Sequence, residues 1–373
     1  MTLSGDSATD VVRSDLEHIL EGCGDELAEV AGKRLLVTGG AGFLGYYLVQ
    51  AALAWNASAK AGRRISVTVL DSFRRGVPDW LAGISGEGLT LLEHDIRQPL
   101  PEGLGHFEYV VHAAGIASPT YYRLHPIETM DANVTGLRLL LDRAVESEER
   151  GERTEGFLFF SSSEIYGDPP AEHIPTPETY RGNVSCTGPR ACYDESKRYG
   201  ETLCVNFARQ HGLSVTIARP FNNYGPGLKI TDRRVIPDLA RDLLEERDIT
   251  LLSDGSATRT FCYAADAVIG YYKVLVRGRP GDQYNIGTEG PEISVGELAE
   301  RMAALGRELF GYAGEVVQGT SGEAEYLVDN PARRCPSIDK ARDELGFAPS
   351  VDLDVGLERT LAWYAENRGG AEA

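Results

Sequence analysis

The chain lacks long hydrophobic runs and an excess of positive charge. No stretch of its 373 residues approaches the roughly 18 consecutive apolar residues of a transmembrane helix, so we expect no membrane span. The formal net charge of −19 argues against nucleic acids and anionic membranes as partners. Lysine is scarce relative to arginine, a bias typical of GC-rich bacterial genomes. Residues 1–15 are polar and acidic and show neither the basic start nor the apolar segment of a secretory signal.

The chain also lacks paired cysteines. Its six cysteines form no CxxC pair and have no paired Cys/His spacing, so neither a metal site nor a disulfide framework is predicted. Scattered cysteines are typical of reduced thiols in the cytoplasm, which is the location we expect. Cys192 is interpreted as a small packing residue although it adjoins Tyr193.

Short apolar segments alternate with helical patterns over much of the first 220 residues. Strands are predicted at 34–37, 65–70, 89–93, 109–112 and 157–161. A helix is predicted after the first strand, and strands that alternate with helices indicate an α/β fold. We expect a Rossmann-type, doubly wound parallel sheet that forms a nucleotide-binding domain over residues 33–220.

The N-terminal segment has a helical pattern of its own. Apolar residues recur at helical spacing over 11–30, and Gly22 and Gly24 interrupt the pattern. We interpret residues 1–32 as an N-terminal helical extension outside the core fold.

Beyond Pro220 the alternation of strands and helices loosens. Helices are predicted over 235–246 and 295–310, and a strand over 250–252. We assign residues 221–373 mainly to a smaller C-terminal α/β lobe that binds the substrate. The boundaries are soft, because the chain is expected to cross between the lobes more than once.

Three glycines stand between the first predicted strand and the helix after it. Gly39, Gly42 and Gly45 form GxxGxxG, in which glycine permits a tight turn, lets a pyrophosphate approach the backbone and packs the helix on the sheet. Asp71 ends the next strand, where an acid hydrogen-bonds the ribose of NAD and repels the 2′-phosphate of NADP. NAD is therefore the predicted cofactor, although Arg75 nearby keeps NADP open.

Tyr193 and Lys197 stand four residues apart, which places both side chains on one face of a helix. A nearby ammonium lowers the pKa of a phenol from about 10, because it favours the phenolate. We therefore expect Tyr193 to exchange a proton with a sugar hydroxyl near neutral pH.

Several longer segments resemble one known family. They are HAAG at 112–115, ASP at 117–119, SSSEIYGDP at 161–169, GPRACYDESKR at 188–198, RPFNNYGP at 219–226, GSATRTF at 255–261 and RRCP at 333–336. From about residue 33 to 366 the chain resembles the extended short-chain dehydrogenases/reductases of the nucleotide-sugar epimerase/dehydratase group. Within it, the chain is most similar to the UDP-glucuronate decarboxylases (UDP-xylose synthases), because the 188–198 run and the Ser-Ser-Glu variant are the narrower signals.

The resemblance implies an NAD-dependent enzyme that acts on a UDP-sugar and forms a homodimer through four helices. The implied cofactor-binding residues are Gly39, Gly42, Phe43, Leu44, Gly45, Asp71, Ser72, Arg75, Asp95, Ile96, Ala113, Ala114, Tyr193 and Lys197. The implied catalytic residues are Tyr193, Lys197, Glu164, Ser162 and Arg334. The implied substrate-binding residues are Tyr122, Glu164, Asn222, Lys229, Arg234, Arg259, Tyr263 and Arg334.

Glu164 distinguishes members of the group from one another. The 4,6-dehydratases usually carry an Asp-Glu pair here, because expelling the C6 hydroxyl needs an acid as well as a base. In this chain Ser163 stands where the dehydratases have the Asp of that pair. The 4-epimerases, in contrast, commonly lack an acid at the position of Glu164. A lone glutamate suits CO2, a leaving group that needs no proton. The predicted reaction is decarboxylation of UDP-glucuronate to UDP-xylose, or to a UDP-4-keto-pentose if the intermediate escapes.

Three other functions stay open. Two are enzymes on the same scaffold: a UDP-glucuronate or UDP-sugar 4-epimerase and a 4,6-dehydratase. The third is a non-catalytic NAD-binding protein, although such proteins typically lose the Tyr/Lys pair. The chain departs from the decarboxylase pattern at Asp131, where a lysine is usual, and at Gly115, where a serine is usual.

Overall fold

A parallel sheet of seven strands lies at the centre of the computed structural model, which describes residues 7–58, 62–84, 88–322 and 328–368. The strands of the described residues are β1 Arg34–Thr38, β2 Ser66–Asp71, β3 Leu89–Glu93, β4 Tyr109–His112, β5 Gly156–Phe160, β6 Val215–Pro220, β7 Asn223–Tyr224, β8 Ile249–Leu251, β9 Thr258–Arg259, β10 Cys262–Tyr263, β11 Gln283–Ile286, β12 Ile293–Ser294, β13 Val316–Gln318 and β14 Arg333–Arg334.

The central sheet has the order β11-β6-β5-β4-β1-β2-β3, and every neighbouring pair is parallel. Leu35 of β1 pairs with Val67 of β2 on one side and with Tyr109 of β4 on the other. The strand order therefore reverses at β1, and ligands of doubly wound sheets bind at the carboxyl ends of the strands beside such a reversal. The predicted Rossmann-type α/β fold is confirmed.

The helices of the described residues pack on the central sheet, on the small sheets and on one another. They are α1 Ala8–Gly22, α2 Gly24–Val30, α3 Phe43–Ala57, α4 Asp79–Ala82, α5 Pro119–Leu124, α6 Pro126–Asp131, α7 Leu137–Glu149, α8 Ala191–His211, α9 Val235–Leu244, α10 Ala264–Arg277, α11 Val295–Phe310, α12 Asp339–Leu345 and α13 Leu353–Glu366. A π-helical turn at Ala132–Gly136 joins α6 to α7, and Ser163–Tyr166 form a 3₁₀ turn after β5. No helix in the described ranges is long and apolar enough to cross a membrane.

The five predicted strands are all present, with ends shifted by at most one residue. The central strands β4 and β5 are buried on both faces along their whole length. The edge strand β3 is instead partly exposed, and its Leu91 is 39% exposed. The sequence interpretation missed β6 and β11. The β11 strand comes from the segment assigned to the C-terminal lobe, yet it pairs with β6 at the edge of the central sheet.

The N-terminal helices α1 and α2 form as predicted, but the expectation that they lie outside the core is wrong. Ile19, Leu27 and Val30 are fully buried in the same hydrophobic cluster as the side chains of β1 and β2. Helix α1 packs on α3, α10 and α13. The segment is amphipathic, and its apolar face fills the space between these three helices.

A separate three-stranded sheet has the order β12-β9-β14. Strand β14 is parallel to β9, and Arg334 pairs in register with Arg259. Two further pairs, β7 with β10 and β8 with β13, complete the small sheets of the described residues. This arrangement brings residue 334 close to segments that lie far from it in the sequence.

Candidate active site

The glycine-rich turn lies between β1 and α3, as the motif requires. Gly39 has a φ of 69°, and a Cβ on it would be 2.6 Å from the backbone of Ala114. A Cβ on Gly45 would be 2.2 Å from the Gly40 carbonyl oxygen, so the helix packs closely on the turn. A Cβ on Gly42 would meet only the Gly39 oxygen, at 3.1 Å, which leaves this part of the backbone open to a ligand.

Asp71 fixes the loops around this turn. Its carboxylate accepts hydrogen bonds from the Ala41 amide at 3.1 Å and the Phe73 amide at 3.0 Å. Phe43 and Leu44 begin α3 next to the turn, and Ser72 and Arg75 follow β2. Hydrogen bonding of Asp71 to a ribose stays a prediction, as do the cofactor contacts of these neighbours.

The other predicted cofactor residues follow β3 and β4. Asp95 accepts a bidentate contact from Arg97, with Nη2 at 2.5 Å from Oδ2, and the Arg97 hydrogen bonds hold the pKa of Asp95 at about 2. The Ile96 side chain is buried in a hydrophobic cluster of the sheet and can offer a ligand only its backbone. The Ala113 amide donates to the Thr38 oxygen at 3.1 Å, so Ala113 and Ala114 lie beside the glycine turn.

Tyr193 and Lys197 lie on one face of α8, as predicted, and both are buried. The Lys197 Nζ donates to the Phe160 carbonyl at 2.7 Å and lies 5.7 Å from the centre of the Tyr193 ring. The expected lowering of the Tyr193 pKa by Lys197 is wrong. Burial raises the pKa of Tyr193 to about 12, and burial lowers the pKa of Lys197 to about 7, so the charge that should stabilise a phenolate is itself suppressed.

Ser162 compensates in part for this burial. Its hydroxyl oxygen accepts the Glu164 amide at 3.2 Å and caps the 3₁₀ turn after β5. A hydrogen bond from Ser162 lowers the pKa of Tyr193, against the larger effect of desolvation. The structure thus brings together Ser162 and Tyr193 as the resemblance implied.

Glu164 lies between two arginines. Arg334 binds it with both guanidinium ends, Nη1 to Oε1 at 2.6 Å and Nη2 to Oε2 at 2.5 Å, and Arg190 also donates to Oε2. All three side chains are largely buried. Burial by itself would raise the pKa of Glu164, but the two guanidinium charges outweigh it and hold the pKa well below its ordinary value. Glu164 is therefore ionised near neutral pH.

Tyr122 covers the other side of Tyr193. The two rings stack with centroids 5.0 Å apart and planes 12° apart, and the Arg190 guanidinium lies 5.8 Å from the Tyr122 ring. Tyr122 is fully buried, and its hydroxyl has no hydrogen-bond partner among the described residues. A buried phenol without a partner is suited to contact a ligand hydroxyl.

The fold and this group of side chains agree with one family of enzymes. The sequence profile of the NAD dependent epimerase/dehydratase family matches residues 35–287, more than half of the chain. The chain belongs to this family.

Individual members of the epimerase/dehydratase family are similar over most of their length. UDP-glucuronic acid decarboxylase 5 of Arabidopsis thaliana is 37% identical over 325 residues, which cover 87% of each chain. UDP-glucuronic acid decarboxylase 1 of Xenopus tropicalis is 35% identical over 342 residues, 91% of this chain and 73% of that one. The crystal structure of DesIV, a dTDP-glucose 4,6-dehydratase from Streptomyces venezuelae with NAD bound, has a TM-score of 0.75 and 29% identity, and covers 90% of this chain and 98% of that one.

The residues present fit the cofactor that gives this family its name. A nicotinamide dinucleotide would lie with its pyrophosphate over Gly42, where the backbone is open, and with its ribose toward Asp71. NAD is therefore the cofactor of this family member. The two decarboxylase relatives are eukaryotic, so the bacterial origin suggested by composition stays a prediction.

Three predicted substrate-binding cations of this family member, Arg259, Arg234 and Lys229, have different contacts in the structure. The Arg259 guanidinium donates to three backbone oxygens, those of Thr258, Pro331 and Ala332, and thereby anchors the segment before Arg334. Arg234 immediately precedes α9 and forms an ion pair with Asp232 at 2.9 Å. Burial lowers the pKa of Lys229. A direct substrate contact of each stays a prediction.

Asn222 and Tyr263 were predicted to contact the substrate. Asn222 follows β6 with a φ of 40° and donates through Nδ2 to the Thr260 oxygen at 2.9 Å. The Tyr263 hydroxyl instead donates to Asp15 of α1 at 2.6 Å, and its side chain is buried in the main core. The assignment of Tyr263 to the substrate site is wrong, because the N-terminal helix occupies its hydroxyl.

Sequence reasoning missed Arg190 as a site residue, although it stands in the quoted 188–198 run. Its neighbour Asp194 was missed as well; burial, with a contribution from Glu164, raises the pKa of Asp194 above its ordinary value. A cation three residues before the predicted tyrosine, at the start of the same helix, is the signal that could have identified Arg190.

Proposed function

We propose that this chain is an NAD-dependent UDP-glucuronate decarboxylase. The observation that carries the proposal is the ionised Glu164 between Arg190 and Arg334, beside Ser162 and the Tyr193 phenol. Relatives that bear the name UDP-glucuronic acid decarboxylase, similar along most of the chain, support it.

Tyr193 would act first as the base. Its phenolate, stabilised by a hydrogen bond from Ser162, takes the proton from the C4 hydroxyl of the sugar. Bound NAD supplies the acceptor for the C4 hydride and the donor for its return. The protonated Tyr193 then faces a C4 carbonyl oxygen and donates a hydrogen bond to it.

Loss of CO2 follows from the position of that carbonyl. A 4-ketone makes the C6 carboxylate of glucuronate a β-keto acid, and breaking the C5–C6 bond leaves its electron pair as an enolate on the C4 oxygen. Tyr193 and Ser162 stabilise this oxyanion. Protonation at C5 gives a 4-keto-pentose; ionised Glu164 orients the water that supplies the proton. The product is UDP-xylose after hydride return, or the UDP-4-keto-pentose if that intermediate leaves first.

The cations of the site match the charges of this substrate. Arg334 presents a planar, bidentate donor of the kind that recognises carboxylates, and Lys229 and Arg234 supply charge for a diphosphate. On a chain with a net charge of −19, arginines that are buried around one carboxylate need an anionic ligand or buried partners.

Two other reactions on this scaffold are less well supported. A 4,6-dehydratase needs an acid to protonate the departing C6 hydroxyl, but Ser163 stands beside Glu164, and Glu164 is held ionised by two arginines. A 4-epimerase needs the sugar to turn over in the pocket and makes no use of a carboxylate clamp. A non-catalytic role leaves the paired Tyr193 and Lys197 unexplained.

One incubation tests the proposal. The protein with UDP-glucuronate and NAD⁺ is expected to release CO2 and to give a pentose in the NMR spectrum of the product. UDP-galacturonate without CO2 would instead identify a 4-epimerase. If no UDP-sugar is turned over, the chain is a binding protein.

We also propose a homodimer and a cytoplasmic location. One surface exposes several large apolar side chains: Leu124, Ile127 and Met130 of the α5–α6 segment and Tyr199 of α8. Helix α6 packs directly on α8. A second copy of the chain suits this face, because the resemblance implies a four-helix interface. The six free thiols favour a reducing compartment.

A further inference from the structure

Arg190 contacts both the acidic and the aromatic side of the candidate site. We propose that Arg190 is a positioning residue, which holds Glu164 so that the Arg334 guanidinium can be transferred from Glu164 to the carboxylate of the sugar. The inference rests on the proposed function, since it requires a substrate that carries a carboxylate.

Glu164 and the carboxylate of the sugar would compete for the guanidinium of Arg334. Arg334 uses Nη1 and Nη2 for the two oxygens of Glu164, so the edge formed by these two nitrogens is occupied, while its Nε is buried and has no hydrogen-bond partner among the described residues. A planar guanidinium binds one carboxylate bidentately on this edge. A sugar carboxylate that binds Arg334 in the same way must therefore displace Glu164.

Arg190 makes that displacement possible. It donates to Oε2 of Glu164 from the residue that immediately precedes α8, while Arg334 lies on β14. When Arg334 turns to the substrate, Glu164 keeps one charged partner. Without Arg190, the same exchange would leave a carboxylate unpaired in a largely buried place, which is strongly unfavourable. Glu164 would then compete with the substrate for Arg334.

The surroundings of Arg190 hold it in this position. The side chain is almost fully buried; its guanidinium lies 5.8 Å from the Tyr122 ring, and its Nε is 4.0 Å from Oδ2 of Asp194 one turn further along α8. The Arg190 carbonyl accepts the amides of Tyr193 and Asp194 at 3.0 and 3.1 Å. The residue is thus fixed at the helix start that also carries the reacting phenol.

Calorimetric titration of the NAD-loaded protein tests this exchange. Every protein used carries Tyr193→Phe, so that the sugar is not converted, and each is titrated with UDP-glucuronate and with UDP-glucose, which lacks the carboxylate. We expect Arg190→Met to weaken UDP-glucuronate binding on the order of tenfold or more and to leave UDP-glucose within about twofold. Addition of Glu164→Gln to Arg190→Met should restore UDP-glucuronate binding, because a neutral amide does not compete for Arg334.

The control is Arg209→Met, an exposed arginine of the same helix, which should change neither affinity. Equal weakening of both ligands by Arg190→Met, or failure of Glu164→Gln to restore binding, would overturn the inference. If circular dichroism shows that Arg190→Met is unfolded, Arg190→Lys replaces it, with a smaller loss of UDP-glucuronate binding expected and the same rescue decisive. A parent protein that binds UDP-glucuronate no better than UDP-glucose would refute the proposed function itself.

Discussion

At the scale of single residues, Tyr193 is subject to two opposing effects. Burial removes water from the phenol and raises its pKa to about 12, whereas the hydrogen bond from Ser162 lowers it. Lys197 contributes less than its distance suggests, because its own burial lowers its pKa to about 7. The site therefore depends on the serine hydroxyl for part of the phenolate stability that the lysine was expected to supply.

Ser162→Ala should move the acid side of the pH–rate profile to higher pH. Tyr193 is active as a base only when deprotonated, so loss of a group that lowers its pKa requires a higher pH for the same activity. We expect roughly a tenfold lower kcat at neutral pH, equivalent to about one pKa unit. Measurement of kcat against pH checks this. Ser163→Ala, one residue away, serves as the control; an unshifted acid side in Ser162→Ala would show that Ser162 does not act on Tyr193.

Some site residues were predictable from the sequence, and others were not. Tyr193, Lys197, Ser162 and Glu164 stand in local motifs whose chemistry is visible in the residue types themselves. The pairing of Glu164 with Arg334 joins residues 170 positions apart, and only the resemblance pointed to it. Tyr263 was misassigned for the same reason: its partner, Asp15, lies in a segment that has no motif.

At the scale of elements, apolar runs predicted the strands well. All residues of β5 are buried, and so are all residues of β1 after the exposed Arg34, so the type of both elements was evident without any partner. β11 reads Gln-Tyr-Asn-Ile and was missed, because its polar residues are satisfied only by tertiary contacts. Asn285 of this strand donates to the Thr176 and Ser337 oxygens, both at 2.9 Å.

A buried carboxylate adds to the apolar packing that holds the N-terminal helix α1. Asp15 accepts hydrogen bonds from Tyr47 of α3 and Tyr263 of β10 and pairs with Arg359 of α13 at 2.8 Å. These partners come from both predicted lobes, so α1 joins the nucleotide-binding part to the C-terminal part of the chain.

Asp15→Ala should destabilise the protein by about 3–5 kcal/mol, because it leaves the Arg359 charge without its buried partner and two buried hydroxyls without an acceptor. Urea unfolding monitored by circular dichroism measures the change. Glu17→Ala, an exposed position of the same helix, should change the unfolding free energy by no more than about 0.5 kcal/mol. Equal stability of the two variants would mean that α1 is not held by Asp15.

At the scale of the whole molecule, the candidate site is rich in positive charge although the chain as a whole is acidic. The net charge is −19, yet Arg190, Arg259 and Arg334 are buried around one carboxylate. The Arg259 guanidinium donates to backbone oxygens of the 330–332 segment. It thereby holds the segment that precedes Arg334, the arginine that contacts Glu164. Such like charges tolerate burial when each has its own acceptors, and an anionic substrate would add a further one.

The proposed homodimer can be disrupted at one exposed position. Leu124, Ile127 and Met130 are 66%, 64% and 43% exposed, and Tyr199 on the adjacent α8 is 51% exposed. Ile127→Glu places a charge in the centre of this surface, which a buried interface does not tolerate without a partner. We expect light scattering after size exclusion to give twice the chain mass of 40.6 kDa for the natural protein and the single mass for Ile127→Glu.

The control is Val77→Glu, a substitution of a similarly exposed apolar residue elsewhere, and this variant should stay dimeric. Because α8 carries Tyr193 as well as Tyr199, the monomer should also lose activity; a natural protein that elutes as a monomer would contradict the proposal.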